Sequence, residues 1–280
     1  MKKLSFGPKT IDDAIIKDGL CAVSALSTSP NSKDLSFVVG GMATQSYLPS
    51  SCRRATADID LAVLRPLGYT DFRQFSQPAK EYLQDNGYVI EMKKGQNSYH
   101  LIFSKKSEDL ESSEACVLEF ARRGKNYIER CRKRLQREFE NARKKIIEGR
   151  DLTYRVSSPE DIIVPKLVRS VGSLDRNPGF KSHLCSPNGR KPLSGEEIAK
   201  ALSKLADLRQ EVLLNPGDPS LSEALRFNAD FYDIRILSEL VGINEAYLVT
   251  AVRDWDRLSE PSIHRDTLFQ CLLPELSIQL

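Results

Sequence analysis

The run VVGGMATQSYLPSSCRRATADIDLAV, residues 38–63, decides how this chain reads. Its first residues close a short, apolar, β-branched segment, Leu35–Val39, that ends at Gly40-Gly41, which predicts a buried strand entering a tight glycine turn. A short helix from Met42 to about Leu48 should follow, stopped by Pro49-Ser50-Ser51. The next strand, Asp58–Leu64, alternates so that Asp58, Asp60 and Ala62 face one side and Ile59, Leu61 and Val63 the other. Two carboxylates about 4 Å apart at an effective dielectric near 20 repel by roughly 4 kcal/mol, so a shared face calls for a cation between them. Magnesium is the natural choice, because it takes oxygen ligands and is usually held by one or two carboxylates together with substrate phosphates. The Gly40-Gly41 turn, between a strand and a helix N-terminus, offers backbone N–H groups to a triphosphate. An Asp-x-Asp pair alone is common by chance. Joined to the strand-Gly-Gly-helix unit, and to Arg54 and Thr56 in an R-x-T-x-D-x-D spacing, it reads as a phosphate-and-metal site.

Outward from this run, apolar residues at Ile11, Ile15, Ile16, Leu20, Val23 and Leu26 predict a helix before it. After it come a helix over Phe72–Gln84, a turn at Asn86-Gly87, and strands at Tyr88–Ile90, Tyr99–Phe103 and Ala115–Ala121. The polar stretch SKKSEDLESSE, residues 104–114, reads as a loose hairpin loop. Glu119 lies inside an apolar strand, as a third carboxylate or general base, or as an outward-facing strand residue. Residues 122–150 carry twelve Lys and Arg against four Glu and predict a long basic helix connecting two lobes. Its charge suits an RNA backbone or, equally, a solvated face. Beyond it the pattern is helical. Ser158 with Pro159 and Asp161, and Ser194 with Glu196 and Glu197, read as helix starts, and Asp175–Leu193 as a long loop.

At 280 residues, with 40% hydrophobic and 28% charged residues, the chain has the composition of a globular protein, and no apolar run is long enough to cross a bilayer. The start MKKLSFGPKTIDDAII lacks the apolar core of a secretory signal, so a cytoplasmic location is expected. The six cysteines show no C-x-x-C pair, and free, reduced thiols are expected. A net charge of +3 demands no polyanionic partner by itself.

The stretch 38–63 resembles the GG-x-A…R-x-S/T-x-D-I-D-L signature of the AbiEii/MenT-type nucleotidyltransferases, toxins of bacterial toxin–antitoxin and phage-defence systems within the DNA polymerase β-like superfamily. VSSPEDIIVPKLVRS, residues 156–170, is similar to the family's segment leading to a functional lysine, here Lys166. NADFYDIRIL, residues 228–237, resembles its K-D-x-x-D motif and places Asp230 at its last functional carboxylate, with Ala229 where the family has lysine. The three segments occur in the family's order.

The pattern of elements, together with the resemblance, predicts an α/β (α+β) fold, a nucleotidyltransferase-type mixed sheet with flanking helices and a mostly helical C-terminal lobe, with a nucleotidyltransferase lobe over 1–121, the basic connecting helix over 122–150 and the helical lobe over 151–280. The resemblance implies transfer of a nucleoside monophosphate from an NTP to an acceptor hydroxyl, with an RNA, a tRNA 3′ end, as acceptor and a cognate antitoxin as partner. Asp58 and Asp60, with Glu119 as a candidate third ligand, would hold Mg2+ or Mn2+. Lys166, with Arg169 one turn away, would contact the triphosphate or the leaving pyrophosphate, the plainer reading being a solvated helix lysine, and Asp230 would orient the nucleotide or the lysine, or simply pair with a neighbouring arginine. Gly40, Gly41, Arg54 and Thr56 would support the phosphate pocket. The rival readings are a transferase of the same chemistry that modifies a protein or a small molecule, and a catalytically inactive nucleotide- or RNA-binding module.

Overall fold

The computed structural model describes residues 3–30, 35–105, 112–182, 184, 193–260 and 262–273. The fold is mixed α/β and divides into two compact units, one of Met1–Ser46 with Ala55–Ser158, the other of Tyr47–Arg54 with Pro159–Leu280.

The first unit carries strands β1 (Lys3–Ser5), β2 (Ser36–Val39), β3 (Asp58–Val63), β4 (Tyr88–Lys94), β5 (Ser98–Lys105), β6 (Ser112–Ala121), β7 (Arg143–Ile146) and β8 (Thr153–Val156). Its helices are α1 (Ala14–Thr28), α2 (Gly40–Gln45), α3 (Tyr69–Phe75), α4 (Gln77–Asp85) and α5 (Lys125–Asn141). The sheet runs β4-β5-β6-β3-β2-β8-β7, with β1 paired to β6 off that path. It is mixed: β3 pairs parallel with β6 and antiparallel with β2, while β2 pairs parallel with β8.

The register sorts the side chains. Phe37 pairs with Ala62, Val39 with Asp60, Asp60 with Glu119 and Glu119 with His100, and directly paired residues share a face. At one end of that face, Phe37 and Ala62 are sealed by Ala142 and by Phe139 of α5, whose ring lies 6.0 Å from that of Phe37. The acidic residues lie further along the same face and stay half-buried. On the opposite face Ile59, Leu61, Leu118 and Phe120 are fully or almost fully buried. There Phe72 and Phe75, both from α3, pack on Phe120 at 5.2 and 6.0 Å between ring centroids. The alternation read from Asp58 to Val63 is thus the alternation of a strand with one greasy and one chemical side.

Two helices differ from their sequence reading. The segment Phe72–Gln84 is not one helix but two, α3 and α4, broken at Ser76. Pro78, in the first turn of α4, has no N–H to continue the α3 ladder and disfavours helical backbone in the residue before it. The basic segment 122–150 is helical only as α5. Ala142 is extended, and Arg143–Ile146 pairs as an antiparallel strand with β8. Helix propensity is a weak prior, and an open strand edge that satisfies the backbone outweighs it.

The second unit is helical: α6 (Pro159–Arg176), α7 (Gly195–Leu214), α8 (Pro219–Leu240), α9 (Glu245–Arg253), α10 (Asp256–Ser259) and α11 (Ile263–Leu272), with a 3-10 turn at Ser50–Cys52. Ser194 caps α7 reciprocally with Glu197. At the start of α6, Glu160 accepts a bond from the Asn244 amide (2.7 Å) and Asp161 one from the Tyr247 hydroxyl (2.7 Å), tying α6 to α9. The Tyr232 hydroxyl of α8 donates to the Cys52 carbonyl at 2.7 Å, which fastens the 3-10 turn to this unit. Of the segments read as loops, residues 106–111 within 104–114, and 183 and 185–192 within 175–193, fall outside the described residues, while β5 runs to Lys105, β6 starts at Ser112 and α6 runs to Arg176. Cys21, Cys52, Cys116 and Cys131 are free thiols, whereas Cys271 is disulfide-bonded, correcting the expectation of uniformly free cysteines. Such pairing depends on proximity in the fold, which spacing along the chain does not encode. Among the described residues no helix is long and apolar enough to cross a membrane.

Candidate functional site

Asp58 and Asp60 open β3, two residues apart on one face, and Glu119 joins them from β6 as the register partner of Asp60. One carboxylate oxygen from each lies within 4.8 Å of the others, and all three side chains are half-buried. The parallel pairing of β3 with β6 therefore makes the cluster, since no spacing in the sequence links residue 60 to residue 119. The apolar strand position of Glu119, open in the sequence reading, resolves to the acidic face.

Gly40 sets the fourth side of the cluster. It follows β2 with φ +72°, and a Cβ added there would lie 2.2 Å from Asp60 Oδ2. The Asp60 carboxylate thus rests against bare backbone, where only glycine leaves room. Gly41 is buried in the first turn of α2. Thr56 is buried beside the acids and its hydroxyl donates to Asp58 Oδ1 at 3.3 Å. Its own backbone is pinned by two bonds to Lys9, at 2.7 and 2.8 Å. Thr56 thus orients a carboxylate. The sequence reading missed His100. It stands opposite Glu119 on β5, its Nε2 lies 3.7 Å from Glu119 Oε2 and 2.7 Å from the Ser98 hydroxyl, and only the β5–β6 register reveals it.

The remaining predicted residues form an ionic cluster inside the second unit. Lys166, on α6, is buried and donates to Asp230 Oδ1 at 3.2 Å and to Asp233 Oδ2 at 2.7 Å. Arg169, one turn on, grips Asp230 with two bonds of 2.8 Å, and Arg54 grips Asp233 with bonds of 2.7 and 2.5 Å. Burial alone would raise the Asp230 pKa, but the charges of Lys166 and Arg169 outweigh it and hold the carboxyl below its ordinary value. Asp233, fully buried and bound to two cations, was missed in the sequence. Its signal was there in the i, i+3 spacing from Asp230, which puts both acids on one face of α8.

Three carboxylates converging on one point, one oxygen each, are a hard-donor set of the kind that binds Mg2+ or Mn2+, and the sulfur and imidazole ligands that favour zinc are missing from the triad. The residues present therefore fit a divalent hard cation. No protein-family profile and no curated protein sequence matches the chain. Among solved structures, the chain is similar to an antigenic nucleotidyltransferase-like protein from Paracoccidioides brasiliensis. The identity there is 18%, over 79% of this chain and 95% of that one, with a TM-score of 0.39. It is also similar to JHP933 from Helicobacter pylori, at 14% identity over 91% of this chain and 86% of that one, with a TM-score of 0.34. Likenesses this distant assign no chemistry, which has to come from the side chains.

Proposed function

We propose that the chain is a divalent-metal-dependent nucleotidyltransferase that moves a nucleoside monophosphate from an NTP to an acceptor hydroxyl. The observation that carries this reading is the half-buried triad of Asp58, Asp60 and Glu119 packed against the bare backbone of Gly40. Asp58 and Asp60, with Glu119, would hold Mg2+ or Mn2+, which when bound neutralises phosphate charge and lowers the pKa of the attacking hydroxyl. Thr56 and the Gly40 backbone keep the two β3 carboxylates in place, so little reorganisation is needed as charge develops. In the transfer the acceptor oxygen bonds to the α-phosphorus and the bond to the bridging oxygen breaks. Pyrophosphate leaves, and the hydroxyl proton passes to the carboxylate set. Lys166, Arg54 and Arg169 enter the proposal as a nucleotide-binding set, with Asp230 positioning the lysine.

RNA, with a tRNA 3′ end foremost, is the proposed acceptor, and a toxin of a toxin–antitoxin or phage-defence system the proposed role. The ordered resemblance of segments from Phe37 to Leu237 supports both, and the basic surface of α5 supports the first.

The test is incubation of the purified chain with Mg2+ or Mn2+, each labelled NTP in turn, and either total tRNA or cell protein. Label is expected on RNA. The paired substitution Asp58→Asn and Asp60→Asn should lower transfer on the order of a thousandfold or more. Label confined to protein would shift the acceptor assignment. No transfer to any acceptor, together with an unchanged biological effect of the double variant, would replace the enzyme with a binding module.

A further inference from the structure

The second unit contains a cavity of about 570 Å3 lined from three helices. Arg169, Gly172 and Arg176 come from one face of α6, Glu223 and Arg226 from the first half of α8, and Arg257 from α10. Four arginines thus line one cavity with a single acidic residue, Glu223. That carboxylate is already committed: Glu223 accepts from Arg176 Nε at 2.9 Å and from Asn177 at 3.0 Å, and the Arg176 bond foremost holds its pKa below the usual value. Arg169 is gripped by Asp230 on one side, yet its side chain remains 44% exposed. Arg226 and Arg257 have no hydrogen-bond or ion-pair partner among the described residues.

Arg257 is also placed by design of the backbone. A Cβ at Gly172 would lie 2.3 Å from Arg257 Nη1, so the guanidinium rests on α6 where a side chain would otherwise stand. Like charges gathered in a concave site repel, and the arrangement is relieved by an anion that several guanidinium groups can grip at once. The planar, forked donors of arginine match phosphate oxygens bidentately, where a lysine would offer only a point charge.

We propose that this cavity is a phosphate-binding site, taking either the phosphodiester backbone of an RNA strand or the polyphosphate of a free nucleotide, with Arg226 and Arg257 as its principal ligands. The cavity shares Arg169 with the proposed nucleotide-binding set, but its test rests on Arg226 and Arg257, outside that set, and reads binding without turnover. A chain that proves catalytically inactive can still meet it.

Two probes are titrated against the full chain over a range of salt: a fluorescein-labelled single-stranded RNA of about a dozen nucleotides and inorganic tripolyphosphate. The comparison is with the double variant Arg226→Ala, Arg257→Ala and, as a second variant at an exposed position, Arg226→Glu. With two phosphate contacts removed, RNA affinity should fall at least about tenfold in the double variant, and the slope of log K against log salt should flatten by about 1.4. A loss for RNA alone identifies the strand as the source of phosphate, and a loss for tripolyphosphate identifies the free polyphosphate. Unchanged affinity for both probes, in variants with the thermal midpoint of the parent, would overturn the proposal. Should the double variant unfold, Arg226→Glu decides it by the same readouts.

Discussion

The Asp60 carboxylate fills the space that a side chain at position 40 would need, and the φ of +72° at Gly40 is one that an L-residue adopts at a cost of about 1–2 kcal/mol. Gly40→Ala should therefore act twice. Denaturant unfolding should show a loss of at least about 1–2 kcal/mol, and calorimetric titration with Mn2+ should show weaker binding because Asp60 has been pushed aside. An alanine variant with parental metal affinity would separate Gly40 from the acid cluster. In the sequence, Gly40-Gly41 read as a cradle for phosphate. The close approach to Asp60 was hidden, because it depends on β2 and β3 pairing so that Val39 faces Asp60. The same holds for His100, which nothing in its neighbourhood on the chain marks out and which the register puts beside Glu119.

At the scale of elements, α6 and α8 are held together in part by Lys166, Arg169, Asp230 and Asp233, with Arg54 added from the segment before β3. Asp233 neutralises two cations whose side chains are 3% and 12% exposed, so its removal leaves Lys166 with Asp230 alone and takes from Arg54 both of its bonds to α8, in the interior. Asp233→Ala should destabilise the chain by about 3–5 kcal/mol, read as a shift of the denaturant midpoint, with a larger effect than that of removing any exposed pair. A shift under about 1 kcal/mol would mean that water reaches Arg54 and Lys166 and that the cluster is not a structural unit. Helices and strands themselves were largely legible, since periodicity carries α1, β2, β3, β5 and β6. The break between α3 and α4 was also legible at Pro78 but went unread. The change from α5 to β7 was not, because Arg143–Ile146 has no strand signature and is drawn into the sheet by β8.

For the molecule as a whole, stability should depend on pH through Asp230. Its carboxyl ionises more readily in the fold than in the unfolded chain, so its contribution is complete above the ordinary value of 3.8 and is lost as pH falls below it. Denaturant midpoints measured over a pH series should decline below about pH 4, more steeply for the parent than for Asp230→Asn. Equal slopes would remove Asp230 from the acid transition. The division into units shows the same limit on what sequence discloses. Nothing in the composition of Tyr47–Arg54 marks it as part of the helical unit, which follows from the bonds of Arg54 to Asp233 and of Cys52 to Tyr232. By itself the sequence determined the mixed α/β class, the shared face of Asp58 and Asp60, and the start of α7. These are consequences of residue-by-residue geometry, namely period two in a strand and a reciprocal cap on a helix. Only the tertiary structure decided that Glu119 completes the triad, that Gly40 backs it, that Asp233 locks Lys166, and that four arginines line one cavity. Each of those depends on residues far apart in the chain, and contact at such range is fixed by packing and strand register.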